Sequence, residues 1–340
     1  MAFAAAAWLL LVYPMRRTAR HGHNEWLTVH REMSIEDVSS MLAGHGFVDD
    51  EFFFATYARV LGAEGRMREG EVYLTDNLTP REVLQRVANG FGTSSVRITI
   101  PEGFTRFDIA DRLARYGVVG RDEFLRATED ANLLRELAIE GESAEGYLYP
   151  DTYDLGIGTN AEAVVRRFVR DWHARVDAVL GVGNVADRMP ARQVLILASM
   201  VEKEAQAREE QAIIAGVFMN RLRSPNMKRL ESDPTAAYGC KVSPSVAPSC
   251  ATYDGRHVTA AMTRDSLNVY NTYRRDGLPP GPICSPGLPA IRAAMAPAQH
   301  DYLFFVASGG GRHRFTRSFA EHNEAVDAYR DRVTRERARP

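Results

Sequence analysis

The sequence predicts an α+β fold in which a small module of helices and short strands precedes a larger mixed α/β domain. The length of 340 residues corresponds to two domains or one large one. Apolar residues recur at helical spacing in many segments, and short runs bounded by Gly or Pro indicate strands between them. Hydrophobic residues make up 45% and charged residues 25% of the chain, the balance of an ordinary globular protein.

An apolar segment, Met1–Pro14, comes first in the chain. It is shorter than the roughly 20 residues that cross a bilayer, and no basic flank of the kind found before an export signal precedes it. No polar residue interrupts it between Ala2 and Val12, and arginines follow at 16, 17 and 20. Three interpretations stay open: a signal or anchor with a late start codon, a short anchor, or a buried soluble helix. We expect residues 1–20 to form an anchor or signal segment.

Two stretches of the chain, residues 34–48 and 105–119, resemble each other. Each opens with a serine or threonine, which suits a helix N-cap, and continues with apolar residues at helical spacing. Gly46 and Gly117 stand where each helix would end. The pattern predicts a duplicated helical hairpin, and two copies are too few for a solenoid.

Short strands and one further helix complete the first module. Gly70–Thr75 and Val96–Ile100 have the composition of strands. Thr79 and Pro80 suit the N-cap and the first position of a helix. These elements predict a small α+β module from Trp26 to about Gly92.

The remainder of the chain predicts a mixed domain that begins with a tyrosine-rich turn over Glu145–Tyr153. Ser224–Pro289 is rich in Pro and Gly and predicts loops. The predicted helices of this domain are Ala161–Val179, Arg192–Ala205, Arg208–Leu222, Ala290–Ala294 and Ser318–Arg335. Its predicted strands are Tyr302–Ala307 and Arg312–Phe315, joined across a glycine turn.

Charge and cysteine content exclude several classes of function. The net charge of −2 provides no basic field for nucleic acid. No CxxC pair is present, and His300, His313 and His322 are widely spaced, so we expect no metal site. The absence of a GxSxG elbow argues against a Ser-His-Asp hydrolase. Two alternatives stay open for the cysteines: a Cys240–Cys250 bridge in an oxidising compartment with Cys284 free, or three free thiols.

The strongest chemical feature is a pair of glutamates, Glu202 and Glu204, at the end of the apolar helix. A buried carboxyl group has a raised pKa, which suits a general acid. Two positions apart on a helix, the two side chains point about 200° from each other, so they do not form one carboxylate pair. Glu204 continues one apolar stripe and Glu202 another, and we favour Glu204. The alternative is that both glutamates end the helix structurally and pair with Lys203 and Arg208.

Polar and aromatic residues follow the glutamates in loops of the kind that bind sugar rings. We expect these side chains to contact substrate: Asn220, Asp233, Thr235, Tyr270, Asn271, Tyr273 and, from the tyrosine-rich turn, Tyr149. Tyr270 or Tyr273 would stabilise the charge of a transition state or hold an N-acetyl group. Asn220 and Asn271 would orient hydroxyls. The alternative is a long ordered loop without a ligand.

Seven segments in sequence order carry a resemblance to a known family: Ile100–Gly103, Glu145–Tyr153, Ala198–Glu204, Val217–Leu222, Ser232–Thr235, Tyr270–Tyr273 and Gly277–Gly281. From about Leu27 to Tyr329 the chain resembles the YceG-like (MltG) endolytic murein transglycosylases. The resemblance implies a LysM-like domain over residues 26–95 and a catalytic domain over 96–335 with a lysozyme-like glutamate helix. It implies that Glu204 is catalytic, with Glu202 as the alternative. The stretch Gly239–Arg256 departs from the family pattern.

The resemblance also implies an activity and a location. A single convincing buried acid suits a lytic transglycosylase, which needs no second carboxylate to activate water. Such an enzyme cleaves the MurNAc–GlcNAc bond of nascent glycan strands, leaves 1,6-anhydroMurNAc ends and needs no cofactor. The resemblance implies a single-pass inner-membrane anchor, a periplasmic catalytic domain, and glycan polymerases or penicillin-binding proteins as partners. Two alternatives are a hydrolytic muramidase of the same fold and a non-catalytic cell-wall-binding or scaffold protein.

Overall fold

The computed structural model describes residues 8–16, 24–63, 67, 69–75, 78–89, 95–182 and 189–337. These residues form a mixed structure of many helices and few strands, which confirms the predicted α+β class. The chain divides into two compact units. The first unit comprises Met1–Thr99, Asp108–Ala127 and Thr152–Val164, and the second comprises Ile100–Phe107, Thr128–Asp151 and Val165–Pro340. The predicted domain limits of 26–95 and 96–335 stay a prediction.

The first unit contains two antiparallel strand pairs, Asn24–Val29 with Gly70–Thr75 and Ser95–Thr99 with Thr152–Gly156. The helices that lie wholly or largely in it are Ile35–Gly44, Glu51–Val60, Pro80–Asn89, Arg106–Arg115 and Arg121–Ala127. Alternate strand residues such as Leu27 and Leu74 enter an apolar core with Ile35, Phe54 and Val83. This core buries one face of the amphipathic elements between Asn24 and Asn89.

The duplicated hairpin that the sequence predicted is present in the structure. Ser34 caps the first helix in a reciprocal capping box with Asp37. The first helix of each copy ends at a glycine with positive φ, Gly46 at 78° and Gly117 at 68°. The following N–H reaches back five residues in both copies, from Phe47 to the Leu42 carbonyl and from Val118 to the Leu113 carbonyl. Both copies therefore end their first helix in the same way.

The N-terminal apolar segment is described only from Trp8 onward. Trp8–Val12 and Tyr13–Met15 form two short helical turns, and the Tyr13 ring is buried against Phe53 and Tyr57. The rest of the predicted anchor, residues 1–7 and 17–20, lies outside the described residues. Of the helices in the described part of the chain, none has the length and apolar character required to span a bilayer.

The second unit is organised around a buried helix, Ala191–Glu204. It packs against Gln211–Arg223 and Leu288–Met295, close to the predicted bounds. The unit also contains helices Ala131–Glu136, Ala178–Val182 and Phe319–Arg337, the greater part of Ala161–Trp172, and the antiparallel strands Phe304–Gly309 and Arg312–Thr316. A π-helical turn, His173–Asp177, joins Ala161–Trp172 to Ala178–Val182, so the predicted helix over 161–179 is continuous but not wholly α-helical.

The prediction of loops throughout Ser224–Pro289 was wrong in part. This segment contains the helices Asp233–Val242 and Ala260–Arg264. The first was missed because Pro234 and Gly239 argue against a helix, whereas Pro234 stands in the first turn, where the missing N–H costs nothing.

A disulfide joins Cys240 to Cys250, and Cys284 is free and buried. Of the two alternatives that the sequence left open, the structure has the bridged one. The bridge closes a ten-residue separation within the stretch Gly239–Arg256. It stabilises the fold by restricting the unfolded chain.

We predict that denatured protein exposes one reactive thiol per chain without reductant and three with it. The physical reason is that only Cys284 lacks a disulfide partner and burial shields it in the native state. Thiol titration in denaturant measures this directly, and Cys284→Ala should lower each count by one. Three reactive thiols without reductant would contradict the bridge.

Candidate active site

The candidate site lies at the C-terminal end of the helix Ala191–Glu204. Residues 194–201 of this helix are all buried. The Ala205 N–H donates to the Val201 carbonyl at 2.9 Å, and the extended backbone of Ala205 then stops the helix. Glu204 is therefore the last helical residue and stands at the negative end of the helix dipole, which disfavours a carboxylate.

The Glu204 carboxyl group is partly buried and strongly perturbed. Burial raises its pKa to about 7, and the nearby charge of Asp233 acts in the same direction. A hydrogen bond from Ser232 and the charge of Arg221 oppose the rise in pKa. At neutral pH the group is therefore present in both protonated and ionised forms, as a residue that first donates and then accepts a proton requires.

Ser232 positions this carboxyl group. Its Oγ donates to Glu204 Oε1 at 2.6 Å. Ser232 occupies the N-cap position of Asp233–Val242, yet its side chain makes no capping hydrogen bond, since the hydroxyl is directed to Glu204. The Ser232 N–H donates to Thr272 Oγ1 at 3.0 Å, which fixes the buried serine in place.

Asp233 and Tyr273 form a second polar pair beside Glu204. Tyr273 Oη donates to Asp233 Oδ1 at 2.9 Å. Burial raises the pKa of Tyr273 well above its usual range, and the charge of Asp233 raises it further. The tyrosine therefore stays protonated and holds the Asp233 carboxylate in one orientation.

An open groove of about 460 Å³ begins at Lys203 and Asp233. Lys203 directly precedes Glu204 in the chain, and Asp233 directly follows Ser232, the hydrogen-bond partner of Glu204. Its volume falls in the range of small-molecule sites in proteins. The lining residues are Thr105, Lys203, Asp233, Pro234, Ala237, Tyr238, Lys241, Tyr253, Gly255, Arg256, His257, Val258 and Ile283. Glu204 is not among these lining residues, and only its neighbours contribute to the wall of the groove.

Glu202 contacts a different part of the unit from Glu204, because side chains two positions apart on a helix point in different directions. Its Oε2 accepts the Gly287 N–H at 3.2 Å. Burial raises the pKa of Glu202, whereas this backbone hydrogen bond lowers it. Glu202 thus holds a loop, whereas Glu204 is held by a serine.

The loop contacted by Glu202 is joined to the segment Ile100–Gly103. The Gly103 N–H donates to the Ser285 carbonyl at 2.8 Å, and the Ser285 N–H donates to the Phe104 carbonyl at 2.8 Å. A Cβ atom at Gly287 would lie 2.1 Å from Glu102 Oε1, so any larger residue there would displace the Glu102 side chain. The segment Ile100–Gly103, which the sequence singled out, therefore meets this loop beside the glutamate helix.

The two asparagines expected to contact substrate are engaged inside the protein. Asn220 Nδ2 donates to the carbonyls of His300 at 2.7 Å and Tyr302 at 3.0 Å. Asn271 is fully buried, and its Nδ2 donates to three backbone carbonyls, including that of Asp265 at 2.7 Å. In this structure both amides are occupied by backbone carbonyls, and that of Asn271 supports the helix Ala260–Arg264 beside the groove wall.

The other expected substrate contacts differ in position. Of them, only Asp233 lines the groove. Thr235 is fully buried and bonds to the Ser232 carbonyl and to Thr272. Tyr270 packs edge-to-face, with centroids 4.9 Å apart, on the groove residue Tyr238. Tyr149 is buried, with the guanidinium of an arginine 5.0 Å from its ring centroid.

Sequence reasoning missed several residues that the structure places at the site. Ser232 lay in a segment already singled out, but nothing in the sequence showed that its hydroxyl leaves the helix N-terminus. Lys241, Tyr253, Arg256 and His257, in and directly after the stretch Gly239–Arg256, line the groove. Cys240 and Cys250 within that stretch were the available signal, because a bridge between them rigidifies the residues that follow.

A single carboxyl group with a near-neutral pKa, held by a serine at the edge of a polar groove, defines an acid–base site. In the described ranges, no group of three or more His, Cys, Asp or Glu side chains is placed to hold a metal ion. The chain belongs to the YceG-like family, whose family model matches residues 27–328. The predicted family is thereby confirmed.

Similar proteins carry an enzyme name. A Bacillus subtilis protein named endolytic murein transglycosylase is 26% identical over 314 residues, which cover 87% of this chain and 82% of the relative. A Streptococcus pneumoniae protein of the same name is 25% identical over 301 residues, 81% of this chain. The match covers 52% of that relative, so the chain spans about half of its length. The prediction that the chain is an enzyme is confirmed at this level.

A solved structure shares the fold. The crystal structure of a YceG-like protein from Listeria monocytogenes matches with a TM-score of 0.59 at 25% sequence identity. The match covers 89% of this chain and 99% of that chain.

We predict that Glu204→Gln stabilises the protein at neutral and alkaline pH but not in acid. Because folding raises the pKa of this carboxyl from 4.5 to about 7, the contribution of Glu204 to stability is fully present below pH 4.5 and is lost as the pH rises through about 7. The variant avoids this loss, which amounts to about 3 kcal/mol above pH 7. Denaturant unfolding at pH 4.5 and pH 8 measures the difference. The exposed Glu324→Gln controls for loss of one charge, and an equal effect of Glu204→Gln at both pH values would contradict the raised pKa.

Proposed function

We propose that this chain is a peptidoglycan lytic transglycosylase in which Glu204 serves first as acid and then as base. The observation that carries the proposal is the Glu204 carboxyl group, desolvated at a helix end and bonded to Ser232 beside an open groove. Membership of the YceG-like family and the names of the relatives support the same activity.

In the proposed reaction, protonated Glu204 donates its proton to the glycosidic oxygen between MurNAc and GlcNAc. The bond from the MurNAc anomeric carbon to that oxygen breaks and leaves a cation-like sugar. The 6-hydroxyl of the same MurNAc then attacks the anomeric carbon, and the Glu204 carboxylate accepts its proton. The products are a GlcNAc end and a 1,6-anhydroMurNAc end, and no water is consumed.

Asp233 and Tyr273 are proposed to stabilise the cation-like sugar. The Asp233 carboxylate lies near enough to Glu204 to raise the pKa of Glu204. The negative charge of Asp233 would stabilise the positive charge that develops on the sugar ring. Tyr273 fixes the orientation of this carboxylate through its hydroxyl. Charge stabilisation by a fixed group costs no reorganisation during the reaction.

The remaining predicted site residues are proposed to act through the architecture of the groove. Asn271 and Thr235 would hold its supporting segments, since their polar atoms bond within the protein, and Asn220 would hold the loop of His300 and Tyr302. Tyr270 would hold the buried Tyr238 ring in place in the wall of the groove. Direct contact of Tyr149 with substrate stays a prediction.

The finer features of location and partners are also proposals. Residues 1–20 would anchor the chain to the inner membrane, and the catalytic domain would work in the periplasm on nascent strands. A LysM-like domain over residues 26–95 would hold glycan. Glycan polymerases and penicillin-binding proteins would be the neighbouring enzymes, because they produce the strands that this activity cuts.

Glu204→Gln should lower kcat on purified sacculi by roughly 10²–10⁴-fold, the usual contribution of a general acid. Mass spectrometry should show wild-type ends lighter by one water than hydrolytic ends. Glu202→Gln is the matched control and should keep the chemistry, because Glu202 holds a loop. Full activity of a correctly folded Glu204→Gln would refute the assignment. Ends of the hydrolytic mass would replace the transglycosylase with a muramidase.

Ser232→Ala should move the alkaline limb of the kcat/KM profile to higher pH. The hydrogen bond from Ser232 lowers the pKa of Glu204, so its loss keeps the acid protonated to a higher pH than the wild-type value of about 7. The matched control is Ser34→Ala, which removes an equally short serine–carboxylate bond, to Asp37 Oδ2 at 2.6 Å. An unchanged or lowered alkaline limb in Ser232→Ala would contradict the proposed role of Glu204.

A further inference from the structure

One wall of the groove is formed by a segment with its own small core. Around the Cys240–Cys250 bridge, four side chains are buried together and two more pack against them: Cys240, Ala247, Cys250 and Met262, with Tyr253 and Val258. Ser249 donates to Asp265 Oδ2 from both its Oγ, at 2.6 Å, and its N–H, at 3.1 Å. The bridge and these hydrogen bonds hold the segment against the helix Ala260–Arg264 and give the wall a fixed shape.

A tight turn at Asp254 presents two basic side chains to the groove. Asp254 Oδ1 accepts the backbone N–H groups of Arg256 at 2.8 Å and His257 at 2.9 Å. These two hydrogen bonds lower the pKa of Asp254 to about 2, with that of His257 contributing most, so the carboxylate that forms the turn is ionised throughout the working range of pH. The turn therefore places the side chains of Arg256 and His257 in the lining of the groove. His257 Nδ1 lies 3.2 Å from Asp254 Oδ2, so Arg256 is the cation that this turn offers to a ligand.

The lining of the groove is basic, although the chain as a whole carries a net charge of −2. Lys203, Lys241 and Arg256 contribute cationic groups, and His257 adds an imidazole. Asp233 is the one carboxylate among the lining residues, and its Oδ1 already accepts the Tyr273 hydroxyl. Within the described part of the chain, the Arg256 guanidinium forms no ion pair or hydrogen bond and is exposed.

We propose that this basic wall, defined by Lys241, Arg256 and His257, is a subsite for the carboxylates of the peptide stems on the glycan. The inference rests on the proposed function, because it assigns a second contact to the same substrate. A neutral sugar chain has no charge that the cationic groups lining the groove would complement. The lactyl arm of MurNAc carries a peptide with free carboxylates, and a guanidinium binds a carboxylate through paired hydrogen bonds.

The position of the wall agrees with this assignment. The groove starts at the immediate neighbours of Glu204, where the MurNAc ring that reacts would lie, and extends to the Asp254 turn. A stem attached to that ring would run along the groove toward Arg256. The wall would therefore select strands that still carry their peptides, whereas the chemistry at Glu204 needs only the glycan.

The test compares two forms of one substrate: soluble strands released from sacculi, and the same strands after an amidase has removed the peptides. Neither form carries a lipid pyrophosphate, which excludes that anion as the source of an effect. Arg256→Ala should raise KM roughly tenfold on the peptide-bearing strands with kcat unchanged, the usual size of a lost charge-assisted hydrogen bond. On the stripped strands the same variant should match the wild type.

The matched control is Arg264→Ala. Arg264 belongs to the neighbouring helix, does not line the groove, and its Nε donates to the Ala260 carbonyl at 3.0 Å. It should leave KM unchanged on both substrates. An equal KM increase for Arg256→Ala on both substrates would show glycan contact and overturn the proposal, as would no increase on either. If wild-type protein cleaves neither form, the proposed function itself fails, and the two failures are distinguishable.

Discussion

The Glu204 carboxyl group lies where the buried helix Ala191–Glu204 ends beside an open groove, and the contacts around it hold it in this position. Burial raises its pKa to about 7, and Ser232 supplies a compensating hydrogen bond that limits the rise. Without burial the group would be ionised at neutral pH and unable to donate a proton. Without the serine it would be an incompletely bonded buried acid, which is costly. The serine gives up its place as a helix cap to provide this bond.

The neighbouring Glu202 has a structural contact, whereas Glu204 has the properties of an acid–base group. Glu202 and Glu204 differ by two positions and therefore face different surroundings. Glu202 receives a backbone N–H of the loop that also pairs with the segment around Gly103, so it ties together parts of the unit that are distant in sequence. Burial raises the pKa of Glu202 as it does that of Glu204, and the hydrogen bond from the Gly287 N–H opposes the rise, so the structural contact of Glu202 distinguishes the two glutamates.

Much of the fold was predictable from local patterns, and much of the site was not. Capping residues such as Ser34 and Thr79 and the glycines after each helix determine local structure directly, so the hairpins and their ends followed from the sequence. Polar residues in loops carry no such signal. Asn271 has the composition of a sugar-binding residue, yet its amide bonds to backbone carbonyls that would otherwise be buried without partners. Whether an asparagine binds a sugar or bonds to the backbone depends on contacts with residues that are distant in sequence. The helix from Asp233 was obscured by a proline and a glycine that its geometry tolerates.

The Cys240–Cys250 bridge has a consequence for the order in which the molecule matures. Glu204 and Ser232 need only apolar packing and hydrogen bonds, so this part of the molecule can form as soon as the chain folds. The bridged segment depends on an oxidant that removes two electrons and two protons from a thiol pair. In a reducing compartment Glu204 would still be in place, but the wall of the groove beside it would lack its disulfide bond. Oxidation would therefore act as a final assembly step, completed where the surroundings favour disulfides and after the acidic centre is in place.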